Sequence, residues 1–190
     1  PCMDDDDLRR GKPTNHKVFG EAMAVLAGDA LLTMAFELVT DTQRCPGIPP
    51  DWLLRAAHTL ASKCGAIGMV GGQAQDLQAE GMELTCEEIT SIHSRKTAAL
   101  LSACTKMGGI VGGGTEEQVH ALEQYGYLMG IAFQITDDIL DIEGDRNLLG
   151  KSTGSDRKQK KATYPGVVGI DAARSKALDL VRQAKEVLSC

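Results

Sequence analysis

Residues 115–142 read TEEQVHALEQYGYLMGIAFQITDDILDI, and the fold turns on this stretch. Thr115 followed three residues later by Gln118 is a capping box, in which side chain and backbone satisfy each other at a helix start. The helix it opens is expected to run to about Ile142. At ~1.5 Å per residue, a helix of about 25 residues spans about 37 Å. Helices of that length joined by short loops imply an all-α bundle with its site between facing helices.

Composition agrees. The chain has 190 residues, a net charge of −6 and 43% hydrophobic residues, which is one globular domain, residues 1–190, able to bury a core. Ala, Leu, Met, Gln and Glu are plentiful and β-branched runs few, which favours helix. Aromatics are limited to Phe19, Phe36, Phe133, Trp52, Tyr125, Tyr127 and Tyr164. The acidic balance argues against a general nucleic-acid surface. No apolar stretch of about 18 residues is free of charge, so a membrane span is not expected. The cysteines are scattered without a CxxC pair, which fits reduced thiols better than a zinc site or disulfide scaffold. The chain opens at Pro1 without Met or targeting peptide and ends without a helix stop signal, so a longer native protein is expected.

Further helices read outward from the first. Residues 16–39 show helical apolar spacing. CPGIPPD, residues 45–51, is a turn whose prolines start a helix over residues 51–80, with Gly71 and Gly72 weakening it or allowing close packing. Thr85 and Glu88 form a second capping box for a helix to about residue 107, and Gly112 to Gly114 close that region. Residues 143–161 are polar, glycine-containing and charged. Tyr164-Pro165 breaks the chain, and Asp171 is the expected N-cap of a last helix running past Val187.

Asp137, Asp138 and Asp141 carry the strongest chemical signal. On a helix, Asp137 and Asp141 share a face, with Asp138 alongside and Gln134 on the same side. Carboxylates this close on an apolar helix repel unless a cation holds them, and a hard ion such as Mg²⁺ suits oxygen ligands; a solvated acidic face is the plainer alternative. A second acidic run, Asp4 to Asp7, leads into Arg9 and Arg10, and by itself reads equally as a disordered acidic start. Taken together, two acidic clusters in one bundle can hold Mg²⁺ ions that bind a polyanion, and arginine's planar fork suits phosphate oxygens. Lys96 and Thr97 add a cation and a hydroxyl, unless Lys96 is a surface lysine. Gly150-Lys151, Asp156 and Lys161 lie where a lid closing on a diphosphate is wanted, or form a solubilising loop.

These segments together resemble a known family. PCMDDDDLRRGKPTNHKVFGEAMAVLAGDALL, GGQAQDLQAEG, RKTAALL and GIAFQITDDILD, followed by LGKSTGSD and KKATYP, resemble in order the trans-isoprenyl diphosphate synthases. The plant geranylgeranyl diphosphate synthases, or the large subunit of a heteromeric geranyl diphosphate synthase, are the nearest likeness. The resemblance implies an isoprenoid-synthase bundle of long antiparallel helices around a central cavity. It implies Mg²⁺-dependent condensation of isopentenyl diphosphate with an allylic diphosphate, giving geranyl to geranylgeranyl diphosphate.

Carried over residue by residue, Asp137, Asp138 and Asp141 match the second aspartate-rich motif, and Asp4 the last aspartate of the first, DDxxxxD. Asp4, Asp137 and Asp141 are the implied metal ligands. Asp137, Asp138, Asp141, Lys96 and Lys151 are the implied catalytic set. Arg9 matches an allylic-diphosphate contact, Arg10 an isopentenyl-diphosphate contact, and Lys96, Thr97, Gln134, Lys151 and Lys161 further allylic contacts. The other aspartates of DDxxxxD, and the positions that set product length, would precede Pro1. Asp29 is expected as a satisfied buried carboxylate, and none of the histidines as catalytic; Gln73 and Asp76 sit in family-like segments, where support of the site is the less favoured reading.

The resemblance also implies a homodimer or a heteromer with a related small subunit, and a plastid location. Two other readings stand beside it. One is a subunit active only when paired, although Asp137, Asp141 and Lys151 are all present. The other is a class I terpene cyclase, for which no NSE/DTE-type motif is found.

Overall fold

A computed structural model describes residues 2, 3, 5–143 and 162–189 of the chain. Of the predicted site residues, Asp4, Lys151 and Lys161 lie outside these, as does Asp156. Among the described residues the architecture is a helical bundle preceded by one small hairpin.

The long helix forms as expected. Here called α7, it runs Glu116–Glu143, 28 residues, behind the Thr115 cap. Thr115 N donates to Gln118 Oε1 at 2.9 Å, and Gln118 N to Thr115 Oγ1 at 3.2 Å. The Thr85–Glu88 box likewise opens α5 (Cys86–His93). α6 (Ala99–Val111) and α9 (Ile170–Glu186) pack along α7, and α3 (Pro50–Cys64) packs on α6. The core consists of Ile89, Ala98, Ile131, Ala132, Ile135, Ile139 and Tyr164, with Ala173, Ala177 and Leu180 from α9. α9 is also tied to the end of α7 by Arg174 reaching Glu143.

Several sequence expectations are corrected. The helix over residues 16–39 is two: α1 (Asn15–Phe19) and α2 (Glu21–Thr40), broken at Gly20, whose φ of 85° no helix accommodates. The helix over residues 51–80 is also divided, into α3 and α4 (Met69–Gln78), and the break falls at residues 65–68 rather than at Gly71-Gly72. α5 does not run straight on; a π-helical turn, Ser94–Ala98, separates it from α6. A short helix α8 (Tyr164–Val168) follows Thr163, whose hydroxyl accepts from Gly166 N, and Gly169 rather than Asp171 caps α9.

α2 departs furthest from expectation. By length and mean hydropathy, 20 residues at 1.7, it is apolar enough to cross a membrane, despite Asp29 and Glu37 within it. None of its residues is buried, and Asp29 is exposed rather than a buried carboxylate. The described cysteines, Cys2, Cys45, Cys64, Cys86 and Cys104, are free thiols.

Candidate functional site

The three aspartates at the end of α7 divide. Asp137 is half-buried, while Asp138 and Asp141 are only 4% and 5% exposed. Asp137 and Asp141, four residues apart, stand on successive turns. Asp138 is instead taken up by protein groups. Its Oδ2 accepts from Tyr164 N at 2.9 Å and lies 3.4 Å from His93 Nε2, and its Oδ1 accepts from Gln134 Nε2 at 3.2 Å. A buried carboxylate is tolerated when hydrogen bonds replace water, and these partners do so.

The π turn places Lys96 and Thr97 against the same region. A π turn widens the helix and re-aims its side chains, and such turns recur at functional sites. Here it meets α4 backbone to backbone: a Cβ on Gly72 would come within 2.2 Å of Lys96 N, so only glycine permits the approach. One turn beyond Gly72, Asp76 Oδ2 receives Lys96 Nζ at 2.6 Å. Thr97 Oγ1 donates to Gln134 Oε1 at 2.9 Å, which joins the π turn to α7. Gln73 Nε2 is buried with no partner among the described residues.

Arg9 and Arg10 sit on an exposed hairpin, β1 (Leu8–Arg9) antiparallel to β2 (Lys12–Pro13). Arg10 takes a φ of 52° in its turn, and Arg9 pairs directly across from Lys12, so the tip concentrates cations. Asp5 and Asp7 before it are held by local pairs rather than left free. Lys17 Nζ lies 2.9 Å from Asp7 and 3.5 Å from Asp5, and His16 Nε2 lies 3.3 Å from Asp5. The hydrogen bond and charge of Lys17 hold the Asp7 carboxyl below its usual range.

No group of three or more His, Cys, Asp or Glu among the described residues is placed to hold a metal. Asp137 and Asp141 still offer the donor set that suits Mg²⁺, which takes one or two protein carboxylates and completes its shell with water and phosphate oxygens. A cavity of about 770 Å³ lined by Lys63, His120, Glu123 and Tyr127 contains none of the predicted site residues.

Sequence reasoning missed three features: His93, the π turn and the Tyr164 backbone contact. The signal for His93 was its place beside Ile89 and Ile92, which it joins as a buried residue of α5. Burial, together with the Cys86 thiol, pushes the Tyr164 phenol up to about 12, so this side chain stays neutral at the foot of α8.

Comparison with known proteins gives the family. Residues 2–187 match the polyprenyl synthetase family. The chain is 48% identical over 188 residues to the farnesyl diphosphate synthase of Bacillus subtilis, covering 99% of this chain and 63% of that protein. It is also 48% identical to the chloroplastic geranylgeranyl pyrophosphate synthase 12 of Arabidopsis thaliana, covering 99% of this chain and 53% of that one. Among solved structures, a geranyltransferase from Helicobacter pylori, complexed with magnesium and isoprenyl diphosphate, superposes with a TM-score of 0.87 at 34% identity. That match covers 98% of this chain and 60% of the other. This is an all-α protein of the isoprenoid-synthase type, and the chain belongs to the polyprenyl synthetase family. It spans between 53% and 63% of the length of the two relatives named.

Proposed function

We propose that the protein is a Mg²⁺-dependent prenyltransferase that condenses isopentenyl diphosphate with an allylic diphosphate. The observation that carries this reading is the hydrogen bond from Thr97, next to Lys96 on the π turn, to Gln134 on the helix of Asp137 and Asp141, in a chain of this family. A cation, a hydroxyl, an amide and two hard carboxylates are what a metal-bound diphosphate needs.

In this reading Asp137, Asp141 and Asp4 would hold the metal. Bound Mg²⁺ supplies positive charge where negative charge builds on the departing diphosphate. Lys96, Lys151 and Lys161 add cationic donors to the allylic diphosphate, and Gln134 and Thr97 orient it. Arg9 binds the same group, and Arg10 binds isopentenyl diphosphate. As the allylic C–O bond breaks, its electron pair leaves with the diphosphate. The double bond of isopentenyl diphosphate then forms the new C–C bond, and a proton passes to the released diphosphate.

The test is product analysis of the purified full-length protein given dimethylallyl and isopentenyl diphosphates with MgCl₂. Linear prenyl diphosphates, geranyl to geranylgeranyl, are expected. Cyclic hydrocarbons, or no turnover with or without a related subunit, would sink the reading.

A further inference from the structure

Asp138 and His93 are buried titratable groups beside the site, at 4% and 6% exposure, and neither has a part in the chemistry just described. They meet at 3.4 Å between Asp138 Oδ2 and His93 Nε2. His93 Nδ1 is buried with no partner among the described residues, so Asp138 is the ring's polar anchor there. The carboxylate then reaches outward. Asp138 Oδ1 takes the Gln134 amide nitrogen at 3.2 Å, and the Gln134 amide oxygen takes the Thr97 hydroxyl at 2.9 Å.

The order of donors matters. Asp138 Oδ1 accepts from the Gln134 nitrogen and the Thr97 hydroxyl donates to the Gln134 oxygen, so the amide has one orientation here. That leaves the second N–H of the Gln134 amide as a donor not used by Asp138. Without a fixed acceptor behind it, the amide could turn over and offer its oxygen, which repels phosphate. Tyr164 N, donating to Asp138 Oδ2 at 2.9 Å, holds the carboxylate from the chain segment that returns to the bundle.

We propose that His93 and Asp138 form a positioning pair that fixes the orientation of the Gln134 amide, so that its second N–H faces a bound diphosphate, with Asp138 acting through Gln134 rather than on the metal. This rests on the proposed function, and the pair touches no substrate itself.

The experiment compares wild type, His93→Leu, His93→Gln, Asp138→Asn and the His93→Leu/Asp138→Asn double variant of the full-length protein. It measures binding of inorganic pyrophosphate with MgCl₂ by calorimetry, steady-state kinetics and thermal unfolding. Glutamine keeps a donor near the position of His93 Nε2, and leucine removes it. The expected result is a rise of about tenfold in pyrophosphate Kd and in KM for the allylic diphosphate for His93→Leu and Asp138→Asn, the size of one lost hydrogen bond. kcat should change much less, His93→Gln should restore binding, and the double variant should be no worse than the poorer single, as for residues acting as one unit.

Unchanged pyrophosphate binding in folded His93→Leu and Asp138→Asn overturns the pair, as do losses that multiply in the double variant. If His93→Leu does not fold, the comparison of His93→Gln with Asp138→Asn decides: near-wild-type binding in the first and weakened binding in the second supports the pair, and equal binding overturns it. Wild-type protein that neither turns over nor binds Mg²⁺ and pyrophosphate defeats the proposed function itself, an outcome distinct from normal wild-type behaviour with unaffected variants.

Discussion

Asp137 and Asp138 are neighbours in sequence with opposite surroundings, one half-buried at the side of α7 and one enclosed by His93, Gln134 and Tyr164. Substitution separates their roles. Asp137→Asn keeps shape and removes charge, so turnover should fall by about 100-fold or more, equivalent to about 2.7 kcal/mol of transition-state stabilisation. Folding should be little affected, and kcat with a Mg²⁺ titration is the check; near-wild-type activity at low Mg²⁺ would remove Asp137 from the metal site. At this scale the sequence was informative about residue type and weak about direction. Three aspartates within five residues are legible as a cluster. Which of them turns inward depends on what packs behind the helix, and a spacing pattern carries no information on that.

Among the elements, the π turn and α4 decide the geometry around Lys96. Gly72 lets the two backbones touch, and Asp76 reaches Lys96 from the following turn of α4. Gly72→Ala drives a methyl into Lys96 N, so α4 or the π turn must move. Stability should fall by about 1–3 kcal/mol, as for overpacked contacts, with a raised KM for the allylic diphosphate. Thermal unfolding and KM measured together test this, and an unchanged KM would show that the contact serves packing alone. Both capping boxes and the proline-led start of α3 were legible because each is settled within four residues. The possibility of close packing at Gly71-Gly72 was legible too, although its partner, the π turn, was not. A π turn leaves no cap or breaker in SRKTA, and its formation between α5 and α6 reflects packing against α4 and α7.

Across the whole molecule, Glu123 links three helices. It lies 2.7 Å from Lys106 on α6 and 3.3 Å from Lys63 on α3. Burial acts to raise its carboxyl, but Lys106 and Lys63 outweigh that, and the net result is a value below the usual 4.5. A carboxyl depressed by folding contributes stability above its unfolded value, and that contribution is lost as pH falls through the lower folded value. Thermal stability should therefore drop as pH falls below about 4.5, and Glu123→Gln should drop less steeply across the same range. Parallel pH profiles would remove Glu123 from the acid response. α2 exposes Met23, Val25, Leu26, Leu31, Leu32, Met34 and Leu38, an apolar surface of the kind that marks an interface. The 190-residue chain studied alone should therefore self-associate at micromolar concentration, and Leu31→Lys should weaken this in sedimentation velocity.

What the sequence by itself determined was local: the two capping boxes, the proline-led start of α3, the all-α class, and the identity of the charged and hydroxyl groups available for binding a diphosphate. Those depend on caps, prolines and spacing within a few residues of one another. Only the tertiary structure decided that Asp138 faces His93 and receives Tyr164 N across 26 residues, and that Lys96 is met by Asp76. Such contacts arise when separate helices dock, and the free energy that selects them is shared among all the packed surfaces rather than held in any one segment.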